Sequence, residues 1–86
     1  MANNLWRFKM AVQIRVLKGG KPVSGVTVYY RKESSGSTGE KTTDSQGYVS
    51  FQVDAGMAAI VRLRGNGIRH EVSDYYLSSG LNEFRF

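Results

Sequence analysis

The 86-residue sequence contains no cysteine and one histidine, and each shortage excludes a class of site. Without cysteine there is no disulfide framework and no thiolate site for zinc or an iron–sulfur cluster. A single histidine excludes a metal site that needs two or more histidines from one chain. We therefore expect no cofactor.

Long apolar runs are also missing. No run approaches the ~18 residues of a membrane-spanning helix, and residues 1–10 lack the apolar segment of a signal peptide. We therefore expect no membrane span, and either a cytoplasmic location or delivery to the outside as part of a particle.

What is present fits one small globular domain covering residues 1–86. The mass is 9.6 kDa, 41% of the residues are hydrophobic and 22% are charged. The formal net charge is +5. A chain of this size has a thin core, because small domains bury a smaller fraction of their surface than large ones.

Hydrophobic residues alternate with others along the first strand candidate, which is typical of a β-strand and not of a helix. The apolar positions of one parity are Trp6, Phe8, Met10, Val12, Ile14 and Val16. The same alternation returns near residues 26–31, 48–53, 59–64, 68–72 and 81–86. Residues 32–40 are polar and rich in glycine and serine, so we expect a flexible loop or hairpin tip there. Short strands between turn signals predict an antiparallel β-sandwich or a small barrel.

Parity also predicts the core of this domain, since inward positions of a strand share one face. The expected core residues are Val12, Ile14, Val16, Val26, Val28, Tyr30, Val49, Phe51, Val53, Ala59, Val61, Leu63, Val72 and Phe84.

Two short motifs suggest a family. Residues 20–26 read G-K-P-V-S-G-V, and residues 43–47 read T-D-S-Q-G. In this order, and across residues 11–64, they resemble the carboxypeptidase regulatory-like modules, which have a transthyretin-like (prealbumin-like) fold. The resemblance implies a transthyretin/Ig-like antiparallel β-sandwich of about seven strands. It also implies an accessory or interaction role, since such modules usually occur in adhesins, transporters, surface proteins and particles.

Enzymatic activity is not expected, for want of a catalytic set. Related hydroxyisourate hydrolases need several histidines, and here only His70 is available as a general base or pH-sensitive contact. Crosslinked adhesin modules need a glutamate at a position that corresponds to Arg62, although Lys9 and Asn82 are conceivable crosslink partners. Asp44 and Asp54 begin turns but lack the spacing of a calcium loop. We therefore predict no catalytic residues and no metal site.

The first functional hypothesis is a non-catalytic interaction or structural module that docks or self-associates through edge strands. Six alternating pairs are long for a strand of a small sandwich, so the strand either bends from one sheet to the other or extends past the core with its Trp6-Phe8-Met10 half. An extended half would pair with another chain, unless Trp6 and Phe8 fold back and close one end of the core. A protein partner or a homo-oligomer follows from such pairing. The predicted partner-binding residues are Trp6, Phe8, Met10, Phe84 and Phe86.

The alternative hypothesis is an anion-binding module for nucleic acid or acidic polysaccharide. Cations dominate the first 32 residues, which contain no acid, and arginines cluster again at 62–69. If both clusters lie on one sheet, they form a basic face. A Gly65-Asn66-Gly67 turn nearby could cradle an anion or simply close a hairpin. The predicted anion-binding residues are Arg7, Lys9, Arg15, Arg62, Arg64 and Arg69.

Overall fold

A computed structural model describes residues 9–33, 35–54 and 58–86, and for residues 9, 10 and 54 it describes the backbone alone. These residues form an all-β sandwich of two sheets, as predicted. The strands are β1 (Lys9–Lys18), β2 (Lys21–Pro22), β3 (Thr27–Lys32), β4 (Thr38–Thr42), β5 (Tyr48–Asp54), β6 (Ala58–Gly65), β7 (Ile68–Tyr76) and β8 (Gly80–Arg85).

The first sheet is built around β1. One edge of β1 pairs with β5 and, at its end, with the short β2, while the opposite edge pairs with β8. The β1–β8 pairing is parallel and every other strand pairing is antiparallel. The second sheet has the order β4-β3-β6-β7. The predicted β-sandwich is thus confirmed, with one parallel pair inside it.

The pairing of β1 limits where another strand could be added. Met10, a predicted partner-binding residue, pairs with Val53 of β5 on one edge, and no described strand pairs with it on the other. From Val12 to Leu17, β1 is also paired with β8 on its other edge. This part of β1 is therefore an interior strand of the sheet and offers no free edge. Trp6 and Phe8 lie outside the described residues.

Alternation predicts the core almost completely. All the predicted core residues are buried except Val72, which is partly buried and packs against the cluster. Tyr30 and Phe51, from opposite sheets, meet edge to face with ring centroids 4.9 Å apart. Such a pair adds about 0.5–1.5 kcal/mol to the burial itself. Leu17, Ile68 and Leu77 complete the buried set and lie at strand ends or beyond them, where parity is uninformative.

The T-D-S-Q-G motif joins the two sheets through hydrogen bonds. The buried Thr43 hydroxyl accepts from Val26 N at 3.0 Å and donates to Val23 O at 2.7 Å. Asp44 Oδ1 accepts from the backbone N of Gln46 and Tyr48, which forms the turn into β5. The motif therefore locks the β4–β5 connection onto the segment that precedes β3.

Gly47 completes this turn because its position requires glycine. Its φ is +82°, and a Cβ there would lie 2.7 Å from Val16 O. Any side chain would force the turn away from β1.

The polar segment after β3 contains a strand that the sequence did not predict. Thr38–Thr42 forms β4, which pairs antiparallel with β3. Its residues lack hydrophobic alternation because the strand lies at the edge of a sheet and is mostly exposed. The loop is thus reduced to the hairpin tip before Thr38.

Candidate functional site

The strand order places β4 and β5 at one lateral side of the sandwich and β7 and β8 at the other. On the first side, Lys41 Nζ of β4 donates to Ser50 O of β5 at 2.6 Å. On the second side, the His70 ring of β7 lies 6.0 Å from the Phe84 ring of β8. The sheets therefore meet at both sides, through a polar link at one and through aromatic rings at the other.

Aromatic side chains fill the space between β7 and β8. His70 also contacts Phe86, with ring centroids 5.3 Å apart, and the rings of Tyr75 and Phe84 are 5.4 Å apart. His70 is half-buried and packs by ring edges, so its described contacts are structural. No carboxylate hydrogen-bonds it among the described residues, which leaves no catalytic dyad there.

Large hydrophobic side chains reach solvent at this same side. Among the described residues, those with large exposed fractions are Tyr76 at 68%, Leu81 at 49% and Phe86 at 41%. Tyr76 ends β7, Leu81 follows the start of β8, and Phe86 follows its end. The β4/β5 side has no comparable side chain within the described residues. Exposed apolar groups on one side of a small domain mark a surface that another molecule can cover.

The backbone of β8 is open along its outer edge. Phe86 N donates to Leu17 O and Phe86 O accepts from Gly19 N, so Phe86 directs both groups toward β1. Backbone groups alternate along a parallel pair. Leu81, Glu83 and Arg85 therefore direct their N–H and C=O groups away from β1, where no described strand pairs with them.

The outer edge of β7 is interrupted near its end. The pairing with β6 shifts between Ala59 and Val61, and Asp74 in the bulge has a φ of +56°. Asp74 N donates to Glu33 Oε2 at 3.1 Å, and this bond ties the bulge to the residue that follows β3. Bulges of this kind protect an edge from added strands. The regular part of β7, from Ile68 to Val72, is left unpaired on that edge within the described structure.

The predicted partner-binding residues lie in different environments. Phe84 is 9% exposed and belongs to the core, so it is unavailable to a partner. Phe86 retains accessible surface, as that hypothesis requires. The structure also exposes Tyr76 and Leu81, which are not among the predicted partner-binding residues. Their outward parity beside a glycine-containing turn was the signal that could have identified them.

The basic face expected from the sequence does not form as one surface. β1 belongs to the first sheet and β6 to the second, so Arg15 and the Arg62–Arg64 pair lie on different sheets. The Arg15 guanidinium lies over the Tyr48 ring at 4.8 Å, and its Nε donates to Gln46 O. Arg7 and the Lys9 side chain lie outside the described residues. The remaining cluster is Arg62, Arg64 and Arg69.

These three arginines project from the outer face of the β4-β3-β6-β7 sheet. Arg62 Nε donates to Glu71 Oε1 at 3.0 Å, and its guanidinium lies 5.0 Å from the centre of the Tyr29 ring. Arg64 of β6 is directly opposite Arg69 of β7 in the register. Neither Arg64 nor Arg69 has an ion pair among the described residues.

A shallow depression of about 310 Å³ opens on this face. It combines cationic, acidic, hydroxyl and aromatic groups from three adjacent strands. The lining residues are Thr27, Tyr29, Glu40, Arg62 and Arg64.

The buried side chain of Asn82 holds the start of β8 in place. Its amide donates to Gln13 O at 3.1 Å and to Ser78 O at 2.9 Å, and its Oδ1 accepts from Ser78 N at 2.9 Å. The Tyr75 hydroxyl donates to the same Oδ1 at 3.3 Å, and burial raises the pKa of Tyr75. With its amide satisfied in this way, Asn82 has a structural role, and none as a crosslink partner is visible.

The other chemical candidates have structural roles as well. Asp44 caps its own turn, as described above. Asn66 Nδ2 of the Gly65-Asn66-Gly67 turn donates to Ser24 O, so the turn closes a hairpin and anchors it. No three acidic or histidine side chains form a potential metal site in the part of the chain that the structure describes. That part also contains no helix long and apolar enough to cross a membrane.

The fold defines a protein of the β-sandwich class. One solved structure with this fold is the dioxygenase domain of a dioxygenase–carbohydrate-binding protein fusion from the cellulolytic bacterium Streptomyces sp. SirexAA-E. The similarity has a TM-score of 0.64 at 12% identity, and covers 100% of this chain and 82% of that chain. It shows a shared fold. No family model matches the sequence, and no curated protein does.

Proposed function

We propose that this chain is a non-catalytic interaction module that pairs with another protein chain through its β7/β8 side. A second copy of the chain is the first partner to test. The observation that carries the proposal is the coincidence, on one side, of unpaired strand edges and exposed hydrophobic residues. Added strands gain affinity from main-chain hydrogen bonds and specificity from neighbouring side chains.

The opposite side supports this choice by contrast. There the first outward backbone groups of β5 have partners, since Lys41 binds Ser50 O and Asp44 binds both backbone groups of Tyr48. A strand added at β5 would have to displace these bonds. At β8 the outward groups of Leu81, Glu83 and Arg85 are free to pair, and Leu81 supplies apolar contact.

We also infer that the chain is a divergent carboxypeptidase regulatory-like module. The support is the way its two sequence motifs act together. Thr43 of the second motif binds Val23 and Val26 of the first, and Gly25 N donates to Thr43 O at 3.1 Å. The two motifs thus form one hydrogen-bonded unit, which explains their joint occurrence. Accessory binding is the usual role of such modules.

The test is the oligomeric state of edge variants. Glu83→Pro removes an outward N–H of β8 without removing a bond to β1, and proline is tolerated at such edge positions. Leu81→Lys removes the exposed apolar contact. Light scattering after size-exclusion chromatography should show an oligomer for the natural chain and a monomer for both variants.

Thr38→Pro is the matched control, because it places the same residue on the edge of β4, where we expect no effect. A chain lacking residues 1–8 tests the predicted contribution of Trp6 and Phe8. Hydrogen exchange gives a second readout, since assembly should protect the amides of Leu81, Glu83 and Arg85. A natural chain that is monomeric at every concentration, with rapidly exchanging edge amides, would overturn self-association.

A further inference from the structure

The outer face of the β4-β3-β6-β7 sheet carries a cationic site that is separate from the β7/β8 edge. Arg64 and Arg69 are opposite each other on adjacent strands, both are exposed, and neither has an acidic partner among the described residues. Like charges directly opposite destabilise an antiparallel pair. A pair of this kind is compensated when an anion lies between the two guanidinium groups.

Arg62 extends this site and is held in place. Its Nε donates to Glu71, and its guanidinium rests on the Tyr29 ring, so the side chain is oriented before any ligand arrives. The bond to Glu71 uses Nε, which leaves the terminal amino groups outside that bond. A planar, pre-oriented guanidinium suits a carboxylate, which it can bind with two parallel hydrogen bonds.

A carboxylate and a hydroxyl group complete the depression. Glu40 of β4 lies directly opposite Tyr29 of β3. Thr27 precedes Tyr29 by two residues and lines the same face. A carboxylate accepts hydrogen bonds from hydroxyl groups, and a threonine hydroxyl donates and accepts them. The lining therefore matches a ligand that presents both carboxylates and hydroxyls.

These features favour an acidic sugar over a nucleic acid. Single-stranded nucleic acid binding uses aromatic rings with free faces for the bases. Here Arg62 already covers one face of the half-buried Tyr29 ring. Glu40 and Glu71 on the same face would also repel closely spaced phosphates. In an acidic sugar the hydroxyl groups between the carboxylates can donate to Glu40, while the more widely spaced carboxylates lie at the arginines.

We propose that Arg62, Arg64 and Arg69 bind an acidic polysaccharide of the uronate type, with Glu40 and Thr27 receiving its hydroxyls. The site goes beyond the proposed edge pairing and uses a different surface, so the two can fail independently. Isothermal titration with polygalacturonate at low salt should show binding that weakens as salt rises. Dextran, a neutral polysaccharide, should not bind.

The variant Arg64→Ala/Arg69→Ala should weaken polygalacturonate binding by about tenfold or more, since two charge-assisted contacts are lost. Its matched control is Arg15→Ala/Arg85→Ala, which removes the same charge from the other sheet. Arg64→Lys/Arg69→Lys keeps the charge and should lose only part of the affinity, because lysine cannot make the two-pronged contact. Thermal melting establishes that each variant is folded.

Three outcomes would overturn the proposal. The first is no binding of polygalacturonate at low salt. The second is an equal loss in the Arg15→Ala/Arg85→Ala control, which would make the effect one of net charge. The third is tighter binding of an oligo-dT strand through the same arginines, which would assign the face to nucleic acid.

Discussion

The two lateral sides of the sandwich are closed by different kinds of contact. At the β4/β5 side, Lys41 joins the sheets by binding Ser50 O, and its ammonium lies 5.4 Å from the centre of the Phe51 ring. At the β7/β8 side, the sheets meet through ring contacts of His70 with Phe84 and Phe86. One side therefore binds outward backbone groups of Tyr48 and Ser50 in β5, whereas the other binds none of the outward groups of β8 among the described residues.

This difference shows how a small sandwich can protect one sheet edge against added strands and keep another edge available to a partner. A sheet edge with unpaired N–H and C=O groups attracts other strands unless side chains or bulges block it. β4 is polar throughout, and Lys41 and Asp44 bind outward backbone groups of Ser50 and Tyr48 in β5. No described side chain binds the outward groups of β8 in this way, and Leu81 within β8 is exposed. The contrast makes the β7/β8 side the one suited to a partner.

The largest expected effect is on the closed side. Phe51→Ala removes a buried ring and its edge-to-face contact with Tyr30, so we expect a loss of about 3–5 kcal/mol in the free energy of unfolding. Phe86→Ala, on the open side, removes a ring that is 41% exposed, and about 1 kcal/mol is expected. Urea unfolding of both variants measures the difference. Similar losses from the two would contradict the contrast between the sides.

The same contrast explains how much of the fold the sequence could predict. Alternation identifies β1, β3, β5, β6, β7 and β8 because most of their inward residues are apolar and must share a face. It misses β4, whose residues Thr38–Thr42 are polar on both faces, because an exposed edge strand needs no apolar side. The polar residues that protect an edge strand thus remove the hydrophobic alternation by which a strand is identified in the sequence.

The candidate sites were less predictable because they depend on which sheet a strand joins. Local spacing cannot show that β1 and β6 lie in different sheets, so Arg15 was grouped with Arg62 and Arg64. Phe84 and Phe86 have the same parity, yet one is buried and the other half exposed. Phe84 packs against both His70 and Tyr75, whereas Phe86, which follows the last strand, has a described ring contact with His70 and none with Tyr75.

The second prediction tests the anchor of β8. Asn82→Ala removes the amide that binds Gln13 O and leaves buried polar groups unsatisfied, so we expect a loss of about 1–3 kcal/mol. Ser78→Ala is a suitable control, since Asn82 contacts the backbone of Ser78 and its exposed side chain should matter little. A loss in Asn82→Ala no larger than that of the control would show that β8 needs no anchor.

The third prediction converts the closed side into an open one. Lys41→Met removes the donor to Ser50 O and the cation over Phe51, for a loss of about 0.5–1 kcal/mol. The freed edge of β5 should then increase self-association, which light scattering measures. Lys21→Met, at an exposed position of β2, controls for the lost charge and the added apolar side chain. Equal association of the two variants would mean that Lys41 does not protect the edge.

The smallest effect concerns Tyr75, whose pKa is raised by burial. The folded chain holds the phenolic proton more tightly than the unfolded chain, whose tyrosines titrate at about pH 10. The resulting stabilisation is complete below that pH and is lost as the pH rises through the folded-state pKa.

Other groups titrate in the same range, so the informative quantity is the difference between the natural chain and Tyr75→Phe. Urea unfolding from about pH 8 to pH 11 should show a steeper alkaline loss in the natural chain. Because Tyr75 packs on Phe84 and binds Asn82, that loss should begin at the β7/β8 side, with amides of β8 exchanging before those of β5. Parallel stability curves for the two chains would place the alkaline sensitivity elsewhere and remove this difference between the sides.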